Sequence, residues 1–205
     1  MTAREVLSPT HSVELAEFIG IMMGDGGMTN YQVKIALHSV DDAEYASFVR
    51  TLISDLFDVT PATYPDPLYN AVDIVVSRAQ LVRFLQTCGL PVGNKLRHGL
   101  DIPAWITANA QYAVACVRGL VDTDGCVFTH QYVSNGKSYA YKKLCFTSAS
   151  PALIASVSRI MSAVGLSPRI SRKGREVRLD RKADVQRYFA EIGSSNPKHL
   201  KRLGI

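Results

Sequence analysis

Two aspartates, Asp25 and Asp124, occupy the same place in two copies of one nine-residue stretch. The first copy runs from Phe18 to Gly26 (F-I-G-I-M-M-G-D-G), the second from Val117 to Gly125 (V-R-G-L-V-D-T-D-G). Ala16 falls on Ala115, Gly20 on Gly119, Gly24 on Thr123 and Asp25 on Asp124, at a constant offset of 99. Leu15, Phe18, Ile19 and Met22 make an i, i+3, i+4, i+7 apolar helix face. Ala16, Gly20 and Gly24, and again Ala115, Gly119 and Thr123, recur every four residues as a second stripe of small side chains. Gly inside a helix costs about 1 kcal/mol relative to Ala, so two glycines in one stripe point to a close backbone approach. The spacing predicts two helices packed along these stripes, each stopping at Asp-Gly, where Gly suits a left-handed cap. Asp25 and Asp124 then lie side by side at two helix C-termini. A carboxylate has the wrong sign for that end of a helix, and a bound divalent cation resolves the conflict. Hard oxygen donors in a site with few dedicated protein groups fit Mg²⁺.

The surrounding pattern supplies the elements that hold these acids. Residues 1–11 read as an N-terminal extension. Ser12 suits the N-cap of the first motif helix, with Glu14 in its first turn. Val33, Ile35 and Leu37 alternate with polar neighbours, as in a half-buried strand, and the run at Met28 and Thr29 is its hairpin partner. Ser39 with Asp42 starts a helix running to about Phe57. Pro61, Pro65 and Pro67 mark a looser hairpin returning through Ala71 to Ser77, and Arg78 to Cys88 is a helix ended by Gly89. A bend, Gly93 to Pro103, leads into the second motif helix. The order then repeats. Strands Cys126–Val133 and Ser138–Thr147 flank an Asn135-Gly136 turn, and Ser150-Pro151 opens a helix ended near Gly165. A hairpin follows around Lys173-Gly174, then a helix from Arg181 to Ile192. Lys34, Leu37, Ser39 and Arg50 fall on Lys143, Phe146, Ser148 and Arg159 at an offset of 109, so the second hairpin is ten residues longer than the first. The chain is therefore an α+β tandem duplication of an α-β-β-α-β-β-α unit, with halves at 12–103 and 104–205.

Composition narrows the class. A chain of 205 residues with 47% hydrophobic content can bury a sizeable core. No apolar run reaches membrane-spanning length, and no hydrophobic signal core is visible at the N-terminus. Cys88, Cys116, Cys126 and Cys145 show no C-x-x-C spacing, so free thiols in a reducing intracellular compartment are expected rather than zinc. That compartment is the cytoplasm or nucleoid, or an organelle in a eukaryote. The net charge is +5, and residues 169–205 alone carry eleven Lys/Arg against four Asp/Glu. A basic C-terminal segment suits a polyanionic partner.

The paired stretches resemble the LAGLIDADG motif of homing endonucleases, in the two-motif single-chain form. The second copy is close to the family pattern; the first departs at its sixth position, where Met23 stands opposite Asp122. The resemblance implies two antiparallel, saddle-like sheets related by a pseudo-twofold and joined by the motif helices. It implies a monomer that cuts a long, specific DNA site, hydrolysing one phosphodiester per strand across the minor groove. Asp25 and Asp124 would hold Mg²⁺, helped by the carbonyls of Gly24 and Thr123. Mn²⁺ would substitute, and Ca²⁺ would bind without supporting cleavage. Family members add a basic residue near each phosphate, often a lysine at the place held here by Leu100. Lys95 is the nearest lysine, with Arg97 and His98 close by, and Lys198 or Lys201 is the counterpart in the second half. His38 is a candidate for positioning water.

Strand faces turned away from the helices are left for a partner. On them the alternation places Thr29, Gln32, Lys34 and His38 in the first half, Tyr139, Tyr141, Lys143 and Thr147 on the longer hairpin, and Arg169, Arg175 and Arg178 on the last one. These side chains suit base edges and phosphates of double-stranded DNA, whose major groove admits a two-stranded ribbon. The rival reading is a non-cleaving relative, either an intron RNA maturase or a transcription regulator. Retention of both acids favours the enzyme. An intein-derived domain would show a splicing-type Cys or Ser start and a terminal His-Asn, and neither stands here.

Overall fold

A computed structural model describes residues 5–204. Helix α1 (Val13–Met23) leads through β1 (Gly26–Met28) and β2 (Val33–His38) to α2 (Ala43–Phe57). Strands β3 (Ala62–Asp66) and β4 (Ala71–Val76) and helix α3 (Ala79–Thr87) complete the first half. A 3₁₀ turn (Lys95–His98) and a short α4 (Ala104–Thr107) connect to α5 (Ala110–Asp124). The same series follows as β5 (Gly125–Ser134), β6 (Lys137–Thr147), α6 (Pro151–Ala163), β7 (Arg169–Ser171), β8 (Glu176–Leu179) and α7 (Lys182–Glu191), with α8 (Pro197–Leu203) added at the end. The two four-stranded sheets are antiparallel and share one topology, β1-β2-β4-β3 and β5-β6-β8-β7. The α+β duplication read from the sequence is thus the observed fold.

Several local signals act as their chemistry requires. Ser12 accepts a hydrogen bond from the Leu15 amide, and Ser150 from the Leu153 amide, so both helices start at side-chain caps. Asn135 and Gly136 both have positive φ, 51° and 74°, which is the two-residue turn that matches the twist of a hairpin. The apolar faces of α1, α2, α5 and α6 and the inner sheet faces merge into one core that includes Phe18, Tyr45, Phe57, Phe146 and Tyr188.

The two motif helices pack backbone to backbone. A Cβ on Gly20 would come closer than 3.0 Å to the carbonyl oxygen of Cys116, and one on Gly119 would do the same to that of Glu17. The small stripes are therefore the contact surface itself. The expected left-handed caps are a correction. Neither Gly26 nor Gly125 has positive φ, and Gly125 is extended at φ −95°, ψ 164°. The chain passes straight from helix to strand at these points, and glycine is needed for space. A Cβ on Gly26 would sit 2.5 Å from Met22 Cα, and one on Gly125 would strike the Val121 carbonyl.

Three further differences matter for the site. Helix α2 begins at Ala43 without a cap from Ser39. The free amides of Val40 and Asp41 donate instead to His38 Nδ1 at 3.4 and 3.0 Å. The tail forms α8, opened by Asn196 as N-cap and Pro197 at the first turn, the same pattern as Ser150-Pro151. Within the N-terminal extension Val6 is buried, and the Leu7 amide donates to the Phe57 carbonyl, which ties this strand of chain to the first half. No helix of the described residues is long and apolar enough to cross a membrane.

Candidate active site

Close packing of α1 and α5 brings their C-terminal ends together. A Cβ on Gly24 would meet Thr123 Oγ1 and would lie 3.2 Å from Asp124 Oδ2, so the Asp124 carboxylate reaches over the end of α1. Asp25, one residue on, is pushed up to about 6, first by burial, then by the charges of Asp124 and Asp42; Lys95 and Lys198 offset part of this. Asp124 opens to solvent on one side, yet the protein around it raises its carboxyl as well, with Lys95 pulling the other way. Burial raises both acids and the Asp124 charge raises Asp25 further, so these abutting helix ends are short of positive charge. The 3₁₀ turn supplies some of it. Asn94 caps that turn by accepting from the amides of Leu96 and Arg97. Lys95 then points its ammonium into the end of α1, donating to the carbonyls of Met22, Met23, Gly24 and Gly26 at 3.1, 2.9, 2.7 and 2.6 Å. A cation at a helix C-terminus is electrostatically favourable, although burial lowers the Lys95 ammonium.

Does this arrangement fit a divalent metal? The under-compensated pair Asp25 and Asp124 fits one. Among the described residues no group of three or more His, Cys, Asp or Glu is placed to hold a metal ion. Two carboxylates with water and a phosphate completing the shell is a Mg²⁺ pattern. The Gly24 carbonyl, expected as a ligand, is already bonded to Lys95. The Thr123 hydroxyl is turned into its own helix, donating to the carbonyls of Gly119 and Leu120 at 3.0 Å each.

A cleft of about 880 Å³ opens over these helix ends, with Gly24, Lys95 and Asp124 on one side and Thr147, Arg172 and Arg175 on the other. Arg175 thus lies in the cleft wall, in the turn before β8, rather than on the strand face. The other expected surface residues fall as follows. Lys34 and His38 project from the open face of the first sheet, Thr29 is exposed beside them, and Gln32 donates to Ser77. Lys34 is paired with Asp73 at 2.6 Å. On the second sheet the register puts Tyr139, Tyr141, Lys143 and Thr147 on one face with Arg178 and Arg169. Lys143, Arg169 and Arg178 converge on Asp180.

The basic candidates separate. Lys95 is at the site; Arg97 and His98 are exposed on the same turn. Leu100 is buried and its carbonyl accepts from Ser150, so no basic group can act from there. Lys198 pairs with Asp42 at 2.7 Å, and its charge acts on Asp25 of the first half. Lys201 is exposed and paired with Glu44. The His38 imidazole is engaged by the turn amides described above.

Sequence reasoning missed a buried polar brace behind the site. Asp42 accepts from Lys198 and from Asn196 Nδ2 at 2.8 Å. Burial opposes its charge, but these donors hold the carboxyl below its usual value. Asp122, the sixth motif residue, accepts from the Ser194 hydroxyl and the Ser195 amide, yet burial pushes it up to about 7. Glu17 of α1 pairs with Arg118 of α5 and accepts from Ser195. The visible signal was Asp122 itself, an acid inside an otherwise apolar helix face.

Residues 111–193 match the family model of the LAGLIDADG-like domain. No curated protein matches the chain significantly. Solved structures extend the likeness to both halves. The LAGLIDADG homing endonuclease I-LtrWI bound to target DNA is 13% identical at TM-score 0.61, covering 93% of this chain and 88% of that one. Full-length WhiA from Thermotoga maritima is 14% identical at 0.61, covering 95% and 61%. A variant of I-DmoI in complex with its target DNA and in the presence of Mn is 20% identical at 0.56, covering 92% and 97%. The chain has the LAGLIDADG fold over most of its length, and the match to the family's sequence model lies in residues 111–193.

Proposed function

We propose that this protein is a site-specific, metal-dependent double-strand DNA endonuclease acting as a monomer. One observation carries the reading: two acids at abutting helix ends, both raised chiefly by burial, sit at a cleft that Asp124 lines together with Arg172 and Arg175. Asp25 and Asp124 would hold Mg²⁺ on behalf of two phosphates, one per strand. The bound metal would activate water and stabilise the leaving 3′ oxygen. Lys95 keeps the end of α1 in place and is within charge range of both acids. Arg172 and Arg175 would hold the phosphate backbone beside Asp124. Solved LAGLIDADG enzymes bound to target DNA share this fold, and I-DmoI has been crystallised with DNA in the presence of Mn and of Ca. An intracellular setting, and a place within a mobile intron, accord with the same reading.

The second reading is a nucleic-acid-binding protein on this fold that does not cleave, an intron RNA maturase or a transcription regulator. It is favoured by Lys95 bonding the Gly24 carbonyl and by similarity to WhiA. Cleavage of a randomised duplex library in Mg²⁺, compared with Ca²⁺, separates the two. Cuts on both strands at one long site are expected. Asp124→Asn should then lose cutting of at least one strand by 100-fold or more while still binding. Selective binding without cuts in any divalent metal would establish the second reading.

A further inference from the structure

The two halves share a fold but not a surface. Residues 1–103 carry seven Lys/Arg against twelve Asp/Glu, whereas residues 104–205 carry sixteen against six. The first half is therefore net −5 and the second net +10. The open sheet faces repeat this contrast. On the first, Lys34 is neutralised by Asp73, and Asp66 lies on the same face. On the second, Lys143, Arg169 and Arg178 outnumber Glu176 and Asp180, and Arg175 and Lys173 at its edge have no carboxylate partner among the described residues. A polyanion gains most of its attraction from the second half.

The hairpins differ in reach as well as charge. Strand β1 pairs three residues with β2, while β5 pairs ten with β6. β8 supports β6 only from Leu144 to Thr147, so the rest projects as a two-stranded ribbon. The ten added residues, five per strand, extend it by about 17 Å, the length of about five base pairs at 3.4 Å each. Along this ribbon, on the same face as Lys143 and Arg178, runs an aromatic ladder. His130 stands opposite Tyr141 and Tyr132 opposite Tyr139. Tyr132 stacks on Tyr139 at 5.2 Å and on Tyr141 at 5.8 Å. Cross-strand aromatic pairs stabilise an otherwise unsupported ribbon. Each of these three tyrosines is still more than a third exposed. Their rings and hydroxyls suit thymine methyls and phosphates.

We infer that the second half anchors the DNA, and that its ribbon reads about five base pairs beyond the reach of the first half's hairpin, giving a target with one long and one short arm. This rests on the double-stranded DNA reading above. The test uses the duplex selected from the library in Ca²⁺. Trimming five base pairs from the long arm should weaken binding at least 10-fold, and the same trim on the other arm less than 2-fold. A variant with Asn-Gly in place of residues 131–140 keeps His130 opposite Tyr141 across a two-residue turn. Its hydroxyl-radical footprint should retract by about four base pairs on the long arm only, which also assigns that arm to the second half. Equal losses from both arms, or a footprint unchanged by the shortened ribbon, would overturn the inference and leave the nuclease reading standing. If the library yields no selectively bound duplex, the DNA reading fails and this inference with it.

Discussion

At the residue scale, the chemistry of Asp25 is set by what surrounds it. Its carboxyl moves from 3.8 to about 6, with burial the largest cause and Asp124 the next. A raised carboxyl binds its proton more tightly in the folded state. Its favourable contribution is present below pH 3.8 and is lost as pH rises through about 6. Above pH 7 the ionised group costs on the order of 2–3 kcal/mol. Asp25→Asn removes that cost. Without divalent ions, thermal melts of wild type and variant should differ least near pH 4, and the variant should be the more stable by a growing margin up to pH 8. Mg²⁺ or Ca²⁺ should then raise the wild-type melting temperature at pH 8 and leave the variant's nearly unchanged. A variant no more stable at pH 8 than wild type would mean the acids are already compensated by Lys95. Both acids were legible in the sequence because the repeat marks them twice. Asp42 was not, because its partners Asn196 and Lys198 lie 154 and 156 positions away. Nothing local to Asp42 distinguishes it from an ordinary helix-start residue.

At the element scale, the motif helices owe their position to glycine. Gly20 faces backbone atoms of α5, the Cys116 carbonyl and the Leu120 amide. No side chain can rotate to admit a methyl group there, so the helices must separate. Overpacking a core costs typically 1–3 kcal/mol, more where backbone must move. Gly20→Ala should therefore cost about 3 kcal/mol, a fall of roughly 6–12 °C in melting temperature for a chain of this size. Gly27→Ala is the control, since a Cβ there meets nothing within 4 Å and φ is not positive; its melting temperature should shift by less than about 2 °C. Equal small shifts in both variants would show that the helices are not held by backbone contact. The stripes could be read from sequence because small residues at four-residue spacing have one main geometric use. The Asp-Gly step was misread because two needs select the same residue. A left-handed cap and a crowded helix-to-strand passage both call for glycine, and only the backbone angles distinguish them. Helix α8 carried a readable start in Asn196-Pro197, but its importance lies in its contact with the first half, which no local pattern encodes.

At the scale of the whole molecule, the polar brace makes the halves one unit with a measurable pH signature. The Asp42 links to Asn196 and Lys198, and the Glu17 links to Arg118 and Ser195, all cross from one half to the other. His199 sits in this brace, buried, with neither ring nitrogen hydrogen-bonded, and burial lowers its pKa from 6.5 to about 4. A depressed histidine contributes stability above the unfolded value of 6.5, and loses it as pH falls toward 4, because only the unfolded chain takes up the proton. Asp25 and Asp122, at about 6 and 7, act in the opposite sense. Between pH 4.5 and 5.5 the folded state holds two protons on these acids that the unfolded chain lacks, and the unfolded chain holds one on His199. With Asp124 raised as well, the acids outweigh the histidine, and the metal-free protein gains stability as pH falls through this window. His199→Leu removes the opposing proton, so the gain should steepen by about 1.4 kcal/mol per unit. Denaturant unfolding at pH 4.5, 5.0 and 5.5 measures both slopes, and the comparison does not depend on how much the substitution changes absolute stability. Parallel slopes would show that His199 reaches water in the folded state and that the brace is not closed. A steepened slope would show that the imidazole of α8, the last helix of the second half, stays buried and unprotonated in the folded state down to pH 4.5.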